Sequence, residues 1–300
     1  MAGAGVRHIL LPGPWRHRDV SANGIRLHVA LGEHVDLTRP LVVLLHGFAQ
    51  FWWAWRHVLP ALDDAGWAVA ALDLRGSGAS DQTPRGYAAA SIAGDVSGVV
   101  RSLGFADAVL VGHDTGAYAA WATAAYAPRQ VRALAVVSAP HPGERRHRLR
   151  PMPLLRFPVL PERRIAADGA AWVGRYLRAR TARSDALTAT DIDRYRATLT
   201  AWPGPRCALA PLRAARRLDV TTAVPVLAVR GDADRVVARA AVEATAAHAR
   251  GRFETVELPG VGHLPAEEDP VALSGALLPW LTTLSRPERR DDPPDPPRQT

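Results

Sequence analysis

A carboxylate stands at the tip of a turn that is bracketed by glycines. Residues 109–116 read VLVGHDTG, and an alanine-rich segment with helical spacing follows at 117–125. If this turn joins a strand to a helix, Asp114 lies at a helix N-terminus, where its carboxylate can attack carbon. Aspartate is also among the best N-cap residues, because it accepts the free N–H groups of a first helical turn. The motif alone leaves both a nucleophile and a simple cap open.

Three further segments carry residues suited to hydrolytic chemistry. Each follows a predicted strand, and in open α/β sheets ligand sites form at the carboxyl ends of the strands. The segments are HGF at 46–48, GDAD at 231–234 and GH at 262–263. Together with Asp114 they place a nucleophile, an acid and a histidine in the chain order of a hydrolytic triad. On spacing alone, Asp232 and Asp234 both remain candidates for the acid.

The elements that must position these residues alternate along the chain. Residues 17–31 read as a two-stranded hairpin around Asn23-Gly24, a strong two-residue turn signal. Continuous apolar runs, typical of strands buried on both faces, lie at 40–47, 67–76, 107–113, 131–140 and 224–234. Helical patterns lie near 53–65, 88–104, 115–127, 237–249 and 269–284. The alternation predicts an α/β fold with a parallel sheet.

The alternation breaks between about 141 and 220. This stretch has helical patterns at 166–180 and 188–199 but no convincing strand, so we interpret it as a helical lid inserted after a core strand. The predicted core domain comprises 1–140 and 221–285, and the lid, or cap, comprises 141–220. Residues 286–300 are rich in proline and charge and are predicted to be disordered.

The positive charge of the chain is concentrated in this insert. All 37 basic residues are arginine, and the formal net charge is +8. Residues 141–217 hold 17 of the arginines but only 6 of the 29 acidic residues. No recognition module or aromatic stacking pattern accompanies them, so no nucleic-acid partner is expected. We interpret the arginines as a solvated helical surface, with attraction of an anionic substrate or a lipid surface as the alternative.

Composition limits the remaining classes of protein. Three hundred residues that are 48% hydrophobic suffice for a large core. The single cysteine, Cys207, excludes an internal disulfide framework and fits a reducing cytoplasm. The sequence has no secretory h-region and no run of 18 apolar residues, so it predicts a soluble, cytoplasmic protein without an integral membrane segment. Whether it forms a homodimer is left open.

The sequence resembles the α/β-hydrolase superfamily, and within it the epoxide-hydrolase branch, from about residue 17 to 284. The segments that carry the resemblance are HGFAQFWWAWRHVLPALDDAGWAVAALDLRGSGASDQTPRGY at 46–87, VLVGHDTG at 109–116, VVSAPHP at 136–142 and GVGHLPAEEDP at 260–270. The resemblance implies an α/β-hydrolase fold, with a mostly parallel eight-stranded sheet and an inserted helical lid. It also implies an enzyme that needs no metal or organic cofactor.

The resemblance implies a role for each segment. Asp114 would be a nucleophile that forms an alkyl ester with the substrate, an aspartate shared with haloalkane dehalogenases. His263, oriented by Asp234, would activate the water that hydrolyses this ester. The backbone N–H groups of Phe48 and Thr115 would form the oxyanion hole. The expected reaction is the opening of an epoxide to a vicinal diol.

The substrate contacts are less well defined by the pattern. Epoxide hydrolases usually open the ring with two lid tyrosines, but the corresponding segments here, 154–164 and 202–217, contain no tyrosine. The expected partner is a small apolar molecule. The candidate substrate-binding side chains are His46, Trp52, Tyr176 and Tyr195.

Two other functions remain open on the sequence. A haloalkane or haloacid dehalogenase would use the same nucleophile, and indole N–H groups of Trp52, Trp53 or Trp202 would hold the halide. Such enzymes normally have a tryptophan immediately after the aspartate, where this chain has Thr115. A hydrolase-fold binding protein would keep the triad with little turnover, because a fold alone does not fix function.

Overall fold

One sheet of eight strands forms the centre of the protein. A computed structural model describes residues 9–34, 37–144, 157, 159–200 and 203–284. Its strands are β1 (Arg16–Ala22), β2 (Ile25–Leu31), β3 (Leu41–Leu45), β4 (Ala68–Leu72), β5 (Ala108–His113), β6 (Val131–Val137), β7 (Val226–Gly231) and β8 (Phe253–Leu258). Their order in the sheet is β1-β2-β4-β3-β5-β6-β7-β8. Strand β2 runs antiparallel to β1 and β4, whereas β3 to β8 are parallel.

Helices connect the parallel strands, as the alternation of the sequence predicts. They are α1 (Val58–Asp64), α2 (Ala89–Ser102), α3 (Thr115–Tyr126), α4 (Leu160–Arg178), α5 (Ala189–Ala197), α6 (Gly204–Ala214), α7 (Arg239–Glu243), α8 (Pro265–Glu268) and α9 (Pro270–Leu284). The predicted helix at 237–249 is shorter than expected, because α7 gives way to a 3₁₀ helix at Ala244–His248. The predicted α/β class is confirmed. Within the described residues, no helix combines the length and apolar character needed to cross a membrane.

Both faces of the sheet are covered, which explains the continuous apolar runs. In β3, Val42 and Leu44 pack on one face with side chains of α1 and α9, whereas Val43 and Leu45 pack on the other with α2 and α3. Successive side chains of a strand point to opposite faces, so every position of a strand that is covered on both sides must be apolar.

The hairpin at the edge of the sheet has the turn that its sequence predicts. Asn23 and Gly24 have φ values of 50° and 75°, the left-handed conformations that a two-residue type I′ turn requires. The turn closes the register in which Ala22 pairs with Ile25.

Helices α4, α5 and α6, which we call the cap helices, lie between β6 and β7 in the chain. Helix α4 is interrupted at Ala167–Ala170, where Asp168, Gly169 and Ala170 have positive φ. The cap boundaries at 141 and 220 stay a prediction, because residues 145–156, 158 and 201–202 lie outside the described part of the chain. The predicted disordered tail, 286–300, also lies outside it.

A buried group of polar side chains joins the cap helices to the core. Arg56 donates to Glu267 at 2.8 Å, and its second terminal nitrogen lies 3.2 Å from Asp191. The Tyr195 hydroxyl donates to Glu267, and the Trp53 indole N–H donates to Asp191 at 3.0 Å. We call these five side chains the cap–core cluster. Burial raises the pKa of Glu267 to about 6 in spite of the opposing charge of Arg56.

Candidate active site

The turn at Asp114 is a strand-to-helix elbow that only glycine can flank. Asp114 lies between β5 and α3 with φ 49° and ψ −112°, a conformation that costs roughly 1–3 kcal/mol. A Cβ atom on Gly112 would lie 2.4 Å from the carbonyl oxygen of Gly116, and one on Gly116 would lie 2.1 Å from that of Leu45. The packing of the elbow therefore requires both glycines, and it holds Asp114 at the carboxyl end of β5.

The carboxylate of Asp114 does not cap the helix that follows it. Asp114 is the N-cap residue of α3, but its side chain accepts no hydrogen bond from the first turn. Its Oδ2 instead accepts the N–H of Phe48 at 3.0 Å. Thr115 is the first residue of α3, so its N–H has no intrahelical acceptor. The simple-cap interpretation is wrong, and the carboxylate lies at the positive end of the helix.

His263 is held by the carboxylate of Asp234. Its Nδ1 lies 3.0 Å from Asp234 Oδ2, and both side chains are buried. Oδ1 of Asp234 accepts the N–H groups of Val236 and Val237 at 2.7 and 3.1 Å. Burial alone would raise the pKa of Asp234, but His263 and these two N–H groups hold it below its usual value. The ionised Asp234 keeps Nδ1 of His263 protonated and leaves Nε2 as the basic nitrogen.

Asp232, the other candidate for the acid, points elsewhere. It is exposed, and its Oδ1 accepts the N–H of Gly260 at 2.7 Å. This bond fastens the turn that precedes the histidine loop. The structure thus joins Asp234, and not Asp232, to His263.

Two further histidines support the backbone of the site. His113 Nε2 donates to the carbonyl oxygen of His263 at 2.8 Å, and burial together with the charge of His263 lowers the pKa of His113 to about 4. His46 Nδ1 donates to the Gly47 oxygen at 2.9 Å, and its Nε2 accepts the N–H of Leu74 at 3.1 Å. Burial also lowers the pKa of His46. Both rings are therefore neutral near pH 7 and hold loops in place.

A cavity of about 620 Å³ opens at these groups. Its wall reaches from the elbow to the cap helices, so a small molecule inside it would contact both. The predicted site residues that line the cavity are Asp114, His263, Phe48, Thr115, His46 and Tyr176. Asp234 lies behind His263.

Two predicted substrate contacts lie away from the cavity. Trp52 is fully buried, and its indole N–H donates to the Ile9 oxygen at 3.0 Å. Tyr195 is also fully buried and belongs to the cap–core cluster. Neither lines the cavity, so the prediction of substrate contact is wrong for both, because each side chain packs in the interior. Trp202, a candidate halide donor, lies outside the described residues.

Tyr176 lies on α4 at the cavity wall. Its ring meets Phe48 edge to face, with centroids 5.3 Å apart, and stacks on Trp172 at 4.6 Å. Burial and the charge of Asp114 raise the pKa of its hydroxyl. Tyr176 is therefore protonated near pH 7 and can donate a hydrogen bond to a molecule in the cavity.

Arg180 is a cavity residue that the sequence analysis did not single out. Its guanidinium carbon lies 3.4 Å from the centroid of the Tyr176 ring, and its Nη1 donates to the Tyr176 carbonyl oxygen at 3.1 Å. Arg180 lines the cavity beside Asp114 and His263. The available signal was its position four residues after Tyr176 in the helical pattern at 166–180, where such a spacing brings two side chains together.

Glu268 secures the histidine loop and was also missed. Its carboxylate accepts the N–H groups on both sides of His263, from Gly262 at 2.9 Å and from Leu264 at 3.0 Å. It also accepts the N–H of Ala182 at 2.7 Å. One buried carboxylate thus ties the segment after α4 to the loop that carries the histidine.

If His263 activates water for ester hydrolysis, as the sequence resemblance implies, replacing Glu268 by glutamine is expected to slow that step. The amide would turn an N–H₂ group toward backbone donors, and a small displacement of a catalytic group can cost up to about 100-fold in rate. We expect rapid-quench kinetics to show a normal first burst of ester formation followed by slower ester hydrolysis. The matched control is Glu243→Gln on exposed α7, which should leave both phases unchanged. Equal slowing of both phases would contradict a specific effect on the histidine.

Known proteins share sequence with this chain. The family model described as alpha/beta hydrolase fold matches residues 40–270. Epoxide hydrolase B of Mycobacterium tuberculosis is 41% identical over 129 residues, which cover 42% of this chain and 36% of that protein. Epoxide hydrolase 4 of Mus musculus is 39% identical over 127 residues, which cover 41% of this chain and 34% of that protein. The matched region thus spans about a third of the length of these curated relatives.

Solved structures extend the similarity over most of the fold. Cfl2 from Burkholderia cenocepacia has a TM-score of 0.79 and 30% identity, with 89% of this chain and 96% of that chain covered. Epoxide hydrolase A from Mycobacterium thermoresistibile has a TM-score of 0.76 and 27% identity, with 89% and 98% covered. The family model spans both the elbow of Asp114 and the loop of His263. The chain belongs to the α/β-hydrolase fold family.

Proposed function

We propose that this protein hydrolyses epoxides to vicinal diols through an alkyl ester on Asp114. The observation that carries the proposal is an aspartate at the elbow tip whose carboxylate does not cap its helix and which shares a cavity with His263. A carboxylate needs no base to become a nucleophile, so the histidine remains for a second step. The similarity to proteins named epoxide hydrolases supports the same chemistry.

In the first step, an oxygen of Asp114 attacks a ring carbon of the epoxide. Because Oδ2 accepts the Phe48 N–H, Oδ1 is the attacking atom. The bond between that carbon and the ring oxygen breaks, and its electron pair moves to the oxygen. This oxygen takes a proton from the hydroxyl of Tyr176, a residue that lines the same cavity. The product is a hydroxyalkyl ester of Asp114.

In the second step, Nε2 of His263 takes a proton from water, and the hydroxide attacks the ester carbonyl of Asp114. The N–H groups of Phe48 and Thr115 stabilise the oxyanion. The carbonyl–oxygen bond then breaks, and His263 returns its proton to the departing diol. The acid proton that Asp114 loses restores the Tyr176 hydroxyl, so the net reaction adds one water to the epoxide.

Single turnover in H₂¹⁸O tests this sequence of steps. With the protein in excess over an epoxide, the diol of the first turnover should contain no ¹⁸O, because its new oxygen comes from Asp114. The label should appear in the peptide that contains Asp114 and enter the diol only in later turnovers. Mass spectrometry of diol and peptide measures both. A first-turnover diol that carries ¹⁸O would show direct attack by water and contradict the ester.

The two described tryptophans that a haloalkane dehalogenase could use as halide donors are both engaged elsewhere. The indole N–H groups of Trp52 and Trp53 already donate to the Ile9 oxygen and to Asp191, and neither ring lines the cavity. They therefore do not provide the pair of N–H donors that a halide would need.

A further inference from the structure

The arginines of the cavity wall divide into two that pair with a carboxylate and two that do not. Four arginines and two acidic residues line it, namely Arg75, Arg180, Arg216, Arg217, Asp114 and Glu144. Arg75 pairs with Asp95 at 2.6 Å, and Arg217 pairs with Asp219 at 2.7 Å. Glu144 is already hydrogen-bonded to a histidine. Among the described residues, Arg180 and Arg216 are the two cavity arginines that have no carboxylate within 4.0 Å of their side-chain nitrogens.

Arg180 lies beside the reacting groups. Its backbone oxygen accepts the N–H of His263 at 2.9 Å, and its guanidinium stacks on the ring of Tyr176. Among the described residues, no carboxylate lies within 4.0 Å of its side-chain nitrogens, and its buried Nε has no acceptor. A cation that is partly withdrawn from water without a counter-ion is unfavourable. A planar guanidinium is the donor best matched to a carboxylate.

We infer that the cavity selects epoxides that carry a carboxylate, and that Arg180 binds this carboxylate. The inference rests on the proposed function, because it names the substrate class of the same site. Because Arg180 stacks on Tyr176, a carboxylate bound by Arg180 would lie next to the hydroxyl that donates a proton to the epoxide oxygen, and so only a few bonds from the epoxide ring. The solvated-surface interpretation of the cap arginines does not hold for Arg180, since its side chain turns inward onto the Tyr176 ring.

The test compares epoxy acids with their neutral methyl esters. The substrates form a series in which one to four carbons separate the carboxylate from the epoxide ring. The value of kcat/KM is measured for each acid and for its methyl ester. We expect the wild-type protein to prefer the acid at one or more chain lengths. Arg180→Gln should lower kcat/KM for that acid about 10- to 100-fold and leave its ester nearly unchanged. Arg180→Lys keeps the charge but loses the planar guanidinium. Its kcat/KM for the acid should therefore lie between the values of the wild-type protein and of Arg180→Gln.

Two controls isolate the charge of Arg180. Arg178→Gln removes an equal charge from an exposed position at the end of α4, two residues before Arg180, and should leave kcat/KM unchanged for both acid and ester. Raising the salt from 0.1 to 1 M shortens the Debye length from ~10 Å to ~3 Å, which should reduce the preference for the acid without affecting the ester. An equal loss on acid and ester in Arg180→Gln, or no acid preference at any length, overturns the inference and leaves the proposed function standing. If wild-type protein forms no diol from any acid or ester, the proposed function fails and the inference fails with it.

Discussion

The His263→Gln variant is expected to gain the mass of one substrate molecule and to release almost no product. In the proposed mechanism Asp114 attacks the epoxide without help from a base, so the first step should survive the loss of the histidine. Glutamine cannot take a proton from water, and a positioned general base contributes about 10²–10⁴-fold. The ester of Asp114 should therefore accumulate while turnover falls by about that factor. Intact-protein mass spectrometry after incubation with an epoxide measures the adduct, and peptide mapping locates it.

The matched control for this trapping experiment is Asp114→Asn. An amide is a poor nucleophile, so neither this variant nor the double variant with His263→Gln should gain mass. A broad panel of epoxides and haloalkanes covers the alternative substrates. If His263→Gln gains no mass with any of them, a binding protein with little turnover becomes the better description.

Arg56→Met is expected to lower the free energy of unfolding by about 3–5 kcal/mol near pH 8, because it leaves buried carboxylates without their counter-ion. In the cap–core cluster, Glu267 and Asp191 both face this guanidinium. Urea unfolding followed by tryptophan fluorescence measures the loss. The matched control is Arg239→Met, which removes an arginine whose partners are exposed and should lower the free energy of unfolding far less.

The pH dependence of this loss has a definite sign. Burial raises the pKa of Glu267 to about 6, above its usual 4.5. The raised pKa contributes stability that is fully present below pH 4.5 and is lost as the pH rises through about 6. Without Arg56 the pKa of Glu267 rises further, so the variant should lose less stability at pH 5 than at pH 8. Equal losses at both pH values, or a loss no larger than that of Arg239→Met, would contradict a dominant role for the buried carboxylate.

The elbow was predictable because its constraints are local. Gly112 and Gly116 are required by contacts within a few residues and with the neighbouring strand, and an apolar run before them predicts that strand. The acid and the histidine could be placed because each follows a strand of a parallel sheet, and the carboxyl ends of those strands meet at one edge.

The direction of the cap side chains could not be predicted in the same way. Tyr176 and Tyr195 both belong to helical patterns in the same insert, but one lines the cavity and the other bonds to Glu267. The difference depends on how α4 and α5 are rotated against partners that are distant in sequence. The position of Arg180 could not be predicted for the same reason, because it depends on where the Tyr176 ring lies. Glu268 accepts hydrogen bonds from backbone N–H groups. Because every residue except proline has such a group, the sequence does not indicate these partners.

The bonds between the segment after α4 and the histidine loop limit how the cap can be exchanged between relatives. The N–H of His263 donates to the Arg180 oxygen, and Glu268 accepts the N–H of Ala182. A chimera that receives another protein's cap therefore also receives a new neighbour for the histidine that we propose as its base. Such a chimera should keep the shape of its cavity but turn over substrate more slowly. The exception is a chimera in which the exchanged segment begins after Ala182, because it keeps both hydrogen bonds. In this protein the cap and the histidine loop are therefore coupled by these two hydrogen bonds, although the cap is a separate insert in the chain.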